Sequence, residues 1–371
     1  MSGETQNDAL LREWDEHLRA ELAATNRAYT FDMEEKDEQA HLAHFPLLAA
    51  ATGFYDSEVK PAYDTADAAA LTLQKTHRRL ACVAIIGGSL AISFAILQLA
   101  LQHSRMVGLL EAVAVLSGVT AVIVGFVAKV NHQWFIQRHI AERLRMLKFQ
   151  ALGRPEFWCG DFEKWKAWMR GERDAIHRIA TIEEVTDWEK SGAAEPFEPP
   201  APTCSLSAVE TRAAAIYYRC KRVGCQAGYF KKQSVKFAAE TRWLHRLSFP
   251  IFAASIVAVV LHFATEFVSR RLGDLPAAHA WEAAGMWALA CAALLPVLGF
   301  GVRAWIGAFE RTRSSHLFED KHRGLMKTFK DMARDEGDCA VTMHHIAHVE
   351  HFLENEHREW LRLLLDAEWF L

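Results

Sequence analysis

The sequence predicts an all-α membrane protein with two transmembrane helical hairpins, four spans in all, joined to long cytoplasmic helices. Three observations carry this. Four stretches of about 20 residues are uncharged or nearly so. They come in two pairs with short connectors. Seventeen Lys and Arg residues flank the pairs on one side, whereas the two connectors hold only Arg105, Arg270 and Arg271. The averages hide this division, because 51% apolar and 24% charged residues with a mean hydropathy of −0.02 describe an ordinary soluble protein. A net charge of −4, from 42 Lys+Arg against 46 Asp+Glu, disfavours a strongly basic nucleic-acid binder and leaves only local basic patches for such a partner.

Residues 1–54 read as an acidic N-terminal cytoplasmic segment, with eleven Asp or Glu against four Arg or Lys in the first 40 positions. Leu10 to Leu22 has helical spacing, and Phe45 to Tyr55 reads as a short apolar connector broken by Pro46 and Gly53. The acidic, polar start lacks the basic and then apolar pattern of a cleavable signal peptide, so the spans themselves direct insertion. Residues 55–152 hold a first helix and hairpin. An Ala-rich helix runs from near Pro61 into Leu80–Leu101, whose 22 uncharged residues rise far enough to cross a hydrocarbon core of about 30 Å. Val107–Ala128 is equally long and carries one charge, Glu111. Ile140, Leu144, Leu147 and Ala151 then continue an amphipathic helix to Gly153-Arg154-Pro155.

Residues 153–205 form a cytoplasmic insert with helical patterning around Trp165 and Trp168, ending in a Pro-rich linker at 195–203. Residues 206–371 repeat the order of long helix, hairpin and long helix. Leu247–Thr265 is 19 residues with His262 as its ionisable group and Pro250 near its start; Ala283–Val302 is 20 uncharged residues with Pro296 inside. A His-rich C-terminal helix follows. The positive flanks place both termini and the middle insert in the cytoplasm, and Trp281, Trp287 and Trp305 suit interfacial anchors.

Polar residues inside spans mark the candidate path. Ser89, Ser93 and Gln98 with Ser117 and Thr120 form either a polar stripe or ordinary interhelical hydrogen bonds. Glu111 faces a vestibule or reaches the headgroups. His262 and Glu266, four apart, form a second candidate pair, and rings of such carboxylates in an oligomer favour cations. Pro296 with Gly299 and Gly301 bends its helix, which suits a gate and equally suits packing. The pore or gate candidates are therefore Glu111, Ser117, Thr120, His262, Glu266 and Pro296.

The remaining chemistry is sparse. Seven cysteines show neither zinc-ribbon nor C-x-x-C spacing and read as structural thiols. His344, His345, His348 and His351 with Glu350 and Glu354 allow an H-x-x-x-H metal site, but Ile346, Val349, Leu353, Trp360 and Leu364 make a solvated stripe on a docking helix the preferred reading, with no metal assigned. There is no G-x-S-x-G elbow, P-loop or kinase motif, so no catalytic residue and no cofactor is expected.

The two halves correspond at an offset of 180, where Arg143, Met146 and Phe149 find Arg323, Met326 and Phe329. Together with HIAERLRMLKF at 139–149, YRCKRVGCQAGY at 218–229, where Tyr218, Arg222, Gln226 and Tyr229 share a face, and ENEHREW at 354–360, this duplication resembles the SLATT superfamily of prokaryotic membrane effectors. The four-span layout, including LPVLGFGVRAWIGAFERTRSS at 295–315, is similar to the membrane part of bacterial proteins carrying a TRPM-type SLOG domain. The resemblance covers about residues 55–150 and 206–371. No strand, Gly-rich turn and helix reads as an appended SLOG domain.

What the resemblance implies is a pore-forming or membrane-disrupting effector of an antiphage, abortive-infection system, oligomeric in the bacterial inner membrane. It stays silent until a cytoplasmic cue arrives, a nucleotide or oligonucleotide made by a partner nucleotidyltransferase. The alternative is a non-conducting membrane scaffold recruiting cytosolic partners through its acidic N-terminal segment and amphipathic helices.

Overall fold

Helices make up every regular element of the computed structural model, which describes residues 3–24, 31–34, 38–101, 104–192, 204–273, 275–308, 311–335 and 337–366. No strand occurs among the described residues, so the all-α expectation holds. The Pro-rich stretch at 195–203 lies outside them. The chain divides into two compact units. Of the described residues, one comprises those within 1–73, 132–234 and 317–366; the other comprises those within 74–131 and 235–316.

The first unit is a helical body with an aromatic core. Helix α1 (Gly3–Ala24) buries Leu11, Trp14 and Leu18, spaced to fall on one face. A short 3₁₀ turn (Phe31–Met33) and α2 (Gln39–Leu42) follow. The expected connector at Phe45–Tyr55 is instead part of helix α3 (Pro46–Glu58), with Pro46 in the first turn, where the missing N–H has no partner to lose. Gly53 sits inside this helix with open space beside it, so it breaks nothing.

Helix α4 (Lys60–Ala100) starts where the sequence predicted. α5 (Arg105–Val127) and α6 (Val130–Leu152) are separate helices, parted at Lys129, whose φ of +48° is left-handed for a residue with a side chain. α7 (Pro155–Trp158), α8 (Phe162–His177) and α9 (Ile182–Lys190) fill the insert. Asp161 caps α8, and Thr181 with Glu184 forms a reciprocal capping box on α9. The Trp158 and Trp165 indoles donate to the carbonyls of Leu152 and Ala151, at 2.7 and 2.8 Å, fastening the insert to the end of α6.

Helix α10 (Ala208–Tyr218), capped by Ser207, runs into a π-helical segment (Arg219–Gly224) and then α11 (Cys225–Leu272). α12 (Pro276–Ala308), α13 (Arg311–Arg334) and α14 (Cys339–Asp366) complete the chain. In the first unit α1 packs along α10 and the π segment, α3 lies against α10, and α14 meets both α9 and α10.

The second unit is inverted relative to a soluble core. In α5 the buried positions are Val107, Ala114, Gly118, Ala121 and Gly125, while Phe126 is 77% exposed. Phe249 and Phe300, at 78% and 73%, follow the same rule of small residues inside and large apolar ones outside. A Cβ on Gly87 would lie 3.0 Å from both the Ala114 carbonyl and the Gly118 nitrogen, so α4 and α5 touch backbone to backbone. Four helices, carried by α4, α5, α10–α11 and α12, are long and apolar enough to cross a membrane.

Candidate functional site

Intramembrane candidates come first, because their partners decide what they can do. With its amide set to satisfy its neighbours, Gln98 donates to Glu111 Oε2 at 3.1 Å and accepts from the Gly108 N–H at 3.2 Å. Glu111 is thus held by α4. Ser117 Oγ donates to the Ala114 carbonyl of its own helix at 2.9 Å, and Thr120 is exposed. His262 and Glu266 turn to different partners: His262 Nδ1 meets the Gly285 carbonyl at 2.9 Å, while Glu266 accepts from Arg270 at 2.5 Å.

Pro296 has a structural consequence within α12. Having no N–H, it frees the Ala292 carbonyl one turn earlier, and Ser255 Oγ of α11 donates to that oxygen at 3.2 Å. The proline therefore supplies a docking point between the two helices.

The densest polar chemistry lies elsewhere, around the π segment in the first unit. π turns are rare and occur frequently at functional sites. Here Arg219, Lys221 and Arg222 are all buried, each against a different part of the chain. Arg219 donates to Asp15 of α1 at 2.5 Å. Lys221 donates to the carbonyls of Phe31 and Glu34, at 2.9 and 2.5 Å, and pairs with the buried Glu38 carboxylate. Arg222 grips Glu350 of α14 with two bonds of 2.8 Å, and Tyr218 donates to the same carboxylate at 2.8 Å.

A second socket adjoins this one. Asp32, fully buried, accepts two bonds from Arg145 of α6 at 2.7 and 2.8 Å, while Lys148 donates to its backbone carbonyl at 2.6 Å. Arg222 lies 3.9 Å from the same carboxylate, and Gln226 Nε2 donates to it at 3.4 Å. Aromatic faces close the sides, with Arg222 4.8 Å over Phe149 and Lys221 4.1 Å over Phe31.

A histidine pair bridges α6 and α14 nearby. His139 Nδ1 and His357 Nε2 are 3.0 Å apart, within hydrogen-bonding distance. Burial first, and then His357, Arg143 and Arg358, hold His139 well below the ordinary imidazole range. Burial likewise depresses His357, against a weaker opposing pull from Glu142. Arg358 stacks 3.6 Å over Trp188 and donates to backbone carbonyls at the end of α9. Glu356, half-buried, is pushed up to about 7, chiefly by burial.

The C-terminal histidines behave differently. His344 and His348 are exposed and stack with ring centroids 6.5 Å apart, in a groove with Lys327 and Asp331. His345 meets Asp335 at 3.1 Å and His351 meets Asn355 at 2.9 Å. Among the described residues no group of three or more His, Cys, Asp or Glu side chains is placed to hold a metal ion.

Sequence reasoning missed the ionic cluster for a clear reason. Arg145 and Lys148 look like flanking charges beside a span, and Asp32 and Glu38 look like an acidic tail, yet all four are buried, Arg145 and Lys148 engaging Asp32 and Glu38 pairing with Lys221. Arg145 and Lys148 are accordingly not presented to lipid headgroups or to a nucleotide in this conformation. A usable signal was present: the HIAERLRMLKF and YRCKRVGCQAGY motifs supply the cations of one cluster. No protein family, curated protein or solved structure matches this chain.

Proposed function

We propose that the protein is a multi-pass membrane effector of the SLATT type, set in a bacterial inner membrane with both termini cytoplasmic. On a nucleotide-linked cue in antiphage defence, its oligomer opens an ion-conducting or membrane-disrupting path. The observation that carries the reading is the pairing of two features in one chain: four helices with large apolar side chains turned outward and small ones inward, and a separate body whose charged residues are sealed in a paired cluster. The first suits lipid as solvent. The second suits a resting state that a ligand shifts by binding one arrangement more tightly than the other. Glu111, held by Gln98 in this arrangement, is the carboxylate that favours cations when the helices regroup.

Proteoliposomes loaded with an ion-sensitive dye test this. The native chain alone conducts little, whereas Asp32→Asn, which removes the charge held by Arg145, conducts without a ligand. Adding Glu111→Gln to that variant lowers its preference for cations over anions. If neither native protein nor Asp32→Asn passes ions, with or without cyclic and linear oligonucleotides, the conducting reading is wrong and a scaffold replaces it.

A further inference from the structure

One short stretch of the first unit, residues 31–34, fills a socket of cations. Its Phe31, Asp32 and Met33 are buried, and the first two set an aromatic ring beside a carboxylate. The ring lies 4.1 Å from the Lys221 ammonium. The carboxylate takes both arms of Arg145, at 2.7 and 2.8 Å, and accepts from Gln226 at 3.4 Å. The backbone is held as firmly as the side chains. Lys148 donates to the Asp32 carbonyl at 2.6 Å, and Lys221 donates to the carbonyls of Phe31 and Glu34 at 2.9 and 2.5 Å. These cations belong to α6 and the π segment, so α6 and the π segment grip a stretch remote in sequence much as they would grip a separate molecule.

The socket suits an anion larger than the one it holds. Arg222, gripping Glu350 through Nε and Nη2, leaves Nη1 3.9 Å from the nearer Asp32 oxygen, beyond hydrogen-bonding distance. Asp32 has two oxygens in one plane, and both are committed to Arg145. A phosphate carries more oxygens on longer bonds, so it can take the Arg145 fork and still reach Arg222. Charge points the same way. Among the described residues, Glu350 stays on Arg222 when the segment leaves, and Glu142, 4.0 Å from Arg145, also pairs with Arg138. Arg145, Lys148 and Lys221 then call for an anion of more than one charge. Flat apolar faces border the same space: Lys148 lies 5.4 Å from the ring centres of Tyr55 and Phe149 and 5.8 Å from that of Tyr217.

We propose that Phe31 and Asp32 are a built-in stand-in for a nucleoside monophosphate group, the ring in place of the base and the carboxylate in place of the phosphate. The ligand binds Arg145, Lys148, Lys221 and Arg222 by displacing this segment, and aromatic faces accept its base by stacking. This rests on the reading of the protein as a nucleotide-cued effector and supplies the receptor site for that cue. Because the segment is tethered, it competes at an effective concentration of about millimolar, which sets the level the ligand must overcome. Displacement also frees Glu38 from Lys221, so the whole stretch before α2 loses its hold together.

The test uses the full chain in detergent, with adenosine 5′-monophosphate (AMP) as probe and adenosine as its phosphate-free control. Met33 is 2% exposed, so the thiol of Met33→Cys, followed on its own peptide by mass spectrometry, is alkylated slowly. Saturating AMP accelerates that alkylation several-fold and adenosine does not. Calorimetry gives Asp32→Ala a Kd for AMP about tenfold lower than that of the native chain, because the tethered competitor is gone. Adding Arg145→Met to Asp32→Ala removes the binding. Should Asp32→Ala fail to fold, the Met33→Cys labelling decides alone. Labelling unchanged by AMP, or equal affinities of Asp32→Ala and the native chain, overturns the site. Acceleration by phosphatidylcholine vesicles containing phosphatidic acid, with none by AMP, assigns the socket to a lipid headgroup and overturns the nucleotide. Ion flux evoked by an oligonucleotide that leaves Met33→Cys labelling unchanged overturns this site while the conducting reading stands; AMP-driven labelling without any flux supports the site and removes that reading.

Discussion

Replacing Glu350 by leucine is the sharpest test of the buried cluster. The substitution keeps much of the side-chain volume but removes an acceptor for three hydrogen bonds, two from Arg222 and one from Tyr218. Tyr218 retains only a long contact to the Ile346 carbonyl at 3.5 Å. Arg222, 2% exposed, then keeps Asp32 at 3.9 Å, a carboxylate already gripped by Arg145. Leaving a buried charge without its partner costs about 3–5 kcal/mol. At about 2–4 °C per kcal/mol for a unit of this size, the melting temperature falls by roughly 10 °C.

The double variant Glu350→Leu/Arg222→Met separates pairing from packing. With both charges gone, only the Tyr218 hydroxyl lacks its best acceptor, so the loss shrinks to about 1–2 kcal/mol. Near-ultraviolet circular dichroism of detergent-purified protein follows the aromatic core built on Trp14, Trp158 and Trp165. A single variant within about 1 kcal/mol of the native chain, or a double variant no better than the single, refutes the assignment of mutual dependence to this pair.

Three further outcomes follow from the same geometry. Because His139 and His357 titrate below their unfolded value, their contribution is complete above about pH 6.5 and is lost as pH falls toward their folded values. Glu356, raised to about 7, acts with the opposite sign: its contribution is complete below its unfolded value and fades as pH rises through 7. Two histidines outweigh one carboxyl, so the melting temperature drops between pH 6.5 and 5, and His139→Leu/His357→Leu flattens that drop. Across the Pro296 site, Ser255→Ala costs about 1 kcal/mol in the native chain and little in a Pro296→Ala background, where a restored backbone N–H takes the Ala292 carbonyl; equal costs in both backgrounds contradict the freed-carbonyl account. Gly87→Leu drives a side chain into backbone atoms 3.0 Å away and separates α4 from α5, read as loss of cross-linking between cysteines introduced along the pair.

The apolar helices were legible because a run of about 20 uncharged residues has few other uses. The start of α4 near Pro61 was legible for a similar reason, since good helix formers continue without a breaker. Pro46 was misread because proline stops a helix in its interior yet begins one readily, and only the register of α3 decides between these. Tyr218, Arg222, Gln226 and Tyr229 show ordinary helical spacing, so the π turn leaves no mark in local periodicity.

The repeat is visible as an order of elements rather than as matched environments. Met146 and Phe149 are buried, whereas Met326 and Phe329 are half-buried and the Arg323 side chain is 71% exposed. What no periodicity reveals is which charges are paired inside, because that depends on segments remote in sequence.

The partners of the π segment explain what such a costly arrangement is suited to. Arg219, Lys221 and Arg222 engage partners from different parts of the chain, so burying all three requires counter-charges from several directions. Asp15 comes from α1, Asp32 and Glu38 from the turn before α2, and Glu350 from α14. A well-packed apolar replacement of a buried ion pair is often at least as stable, so stability alone does not account for retaining these charges. Their distinguishing property is that the paired arrangement is satisfied only while three separate segments stay docked. On the proposed reading, a ligand competing for one of the cations would act on a junction that all three segments share. Shifting such an equilibrium from one extreme to the other takes about 5.5 kcal/mol of differential binding. That exceeds the cost of unpairing a single buried charge, so on the proposed reading a ligand would have to contact more than one of the three cations in the opened cluster.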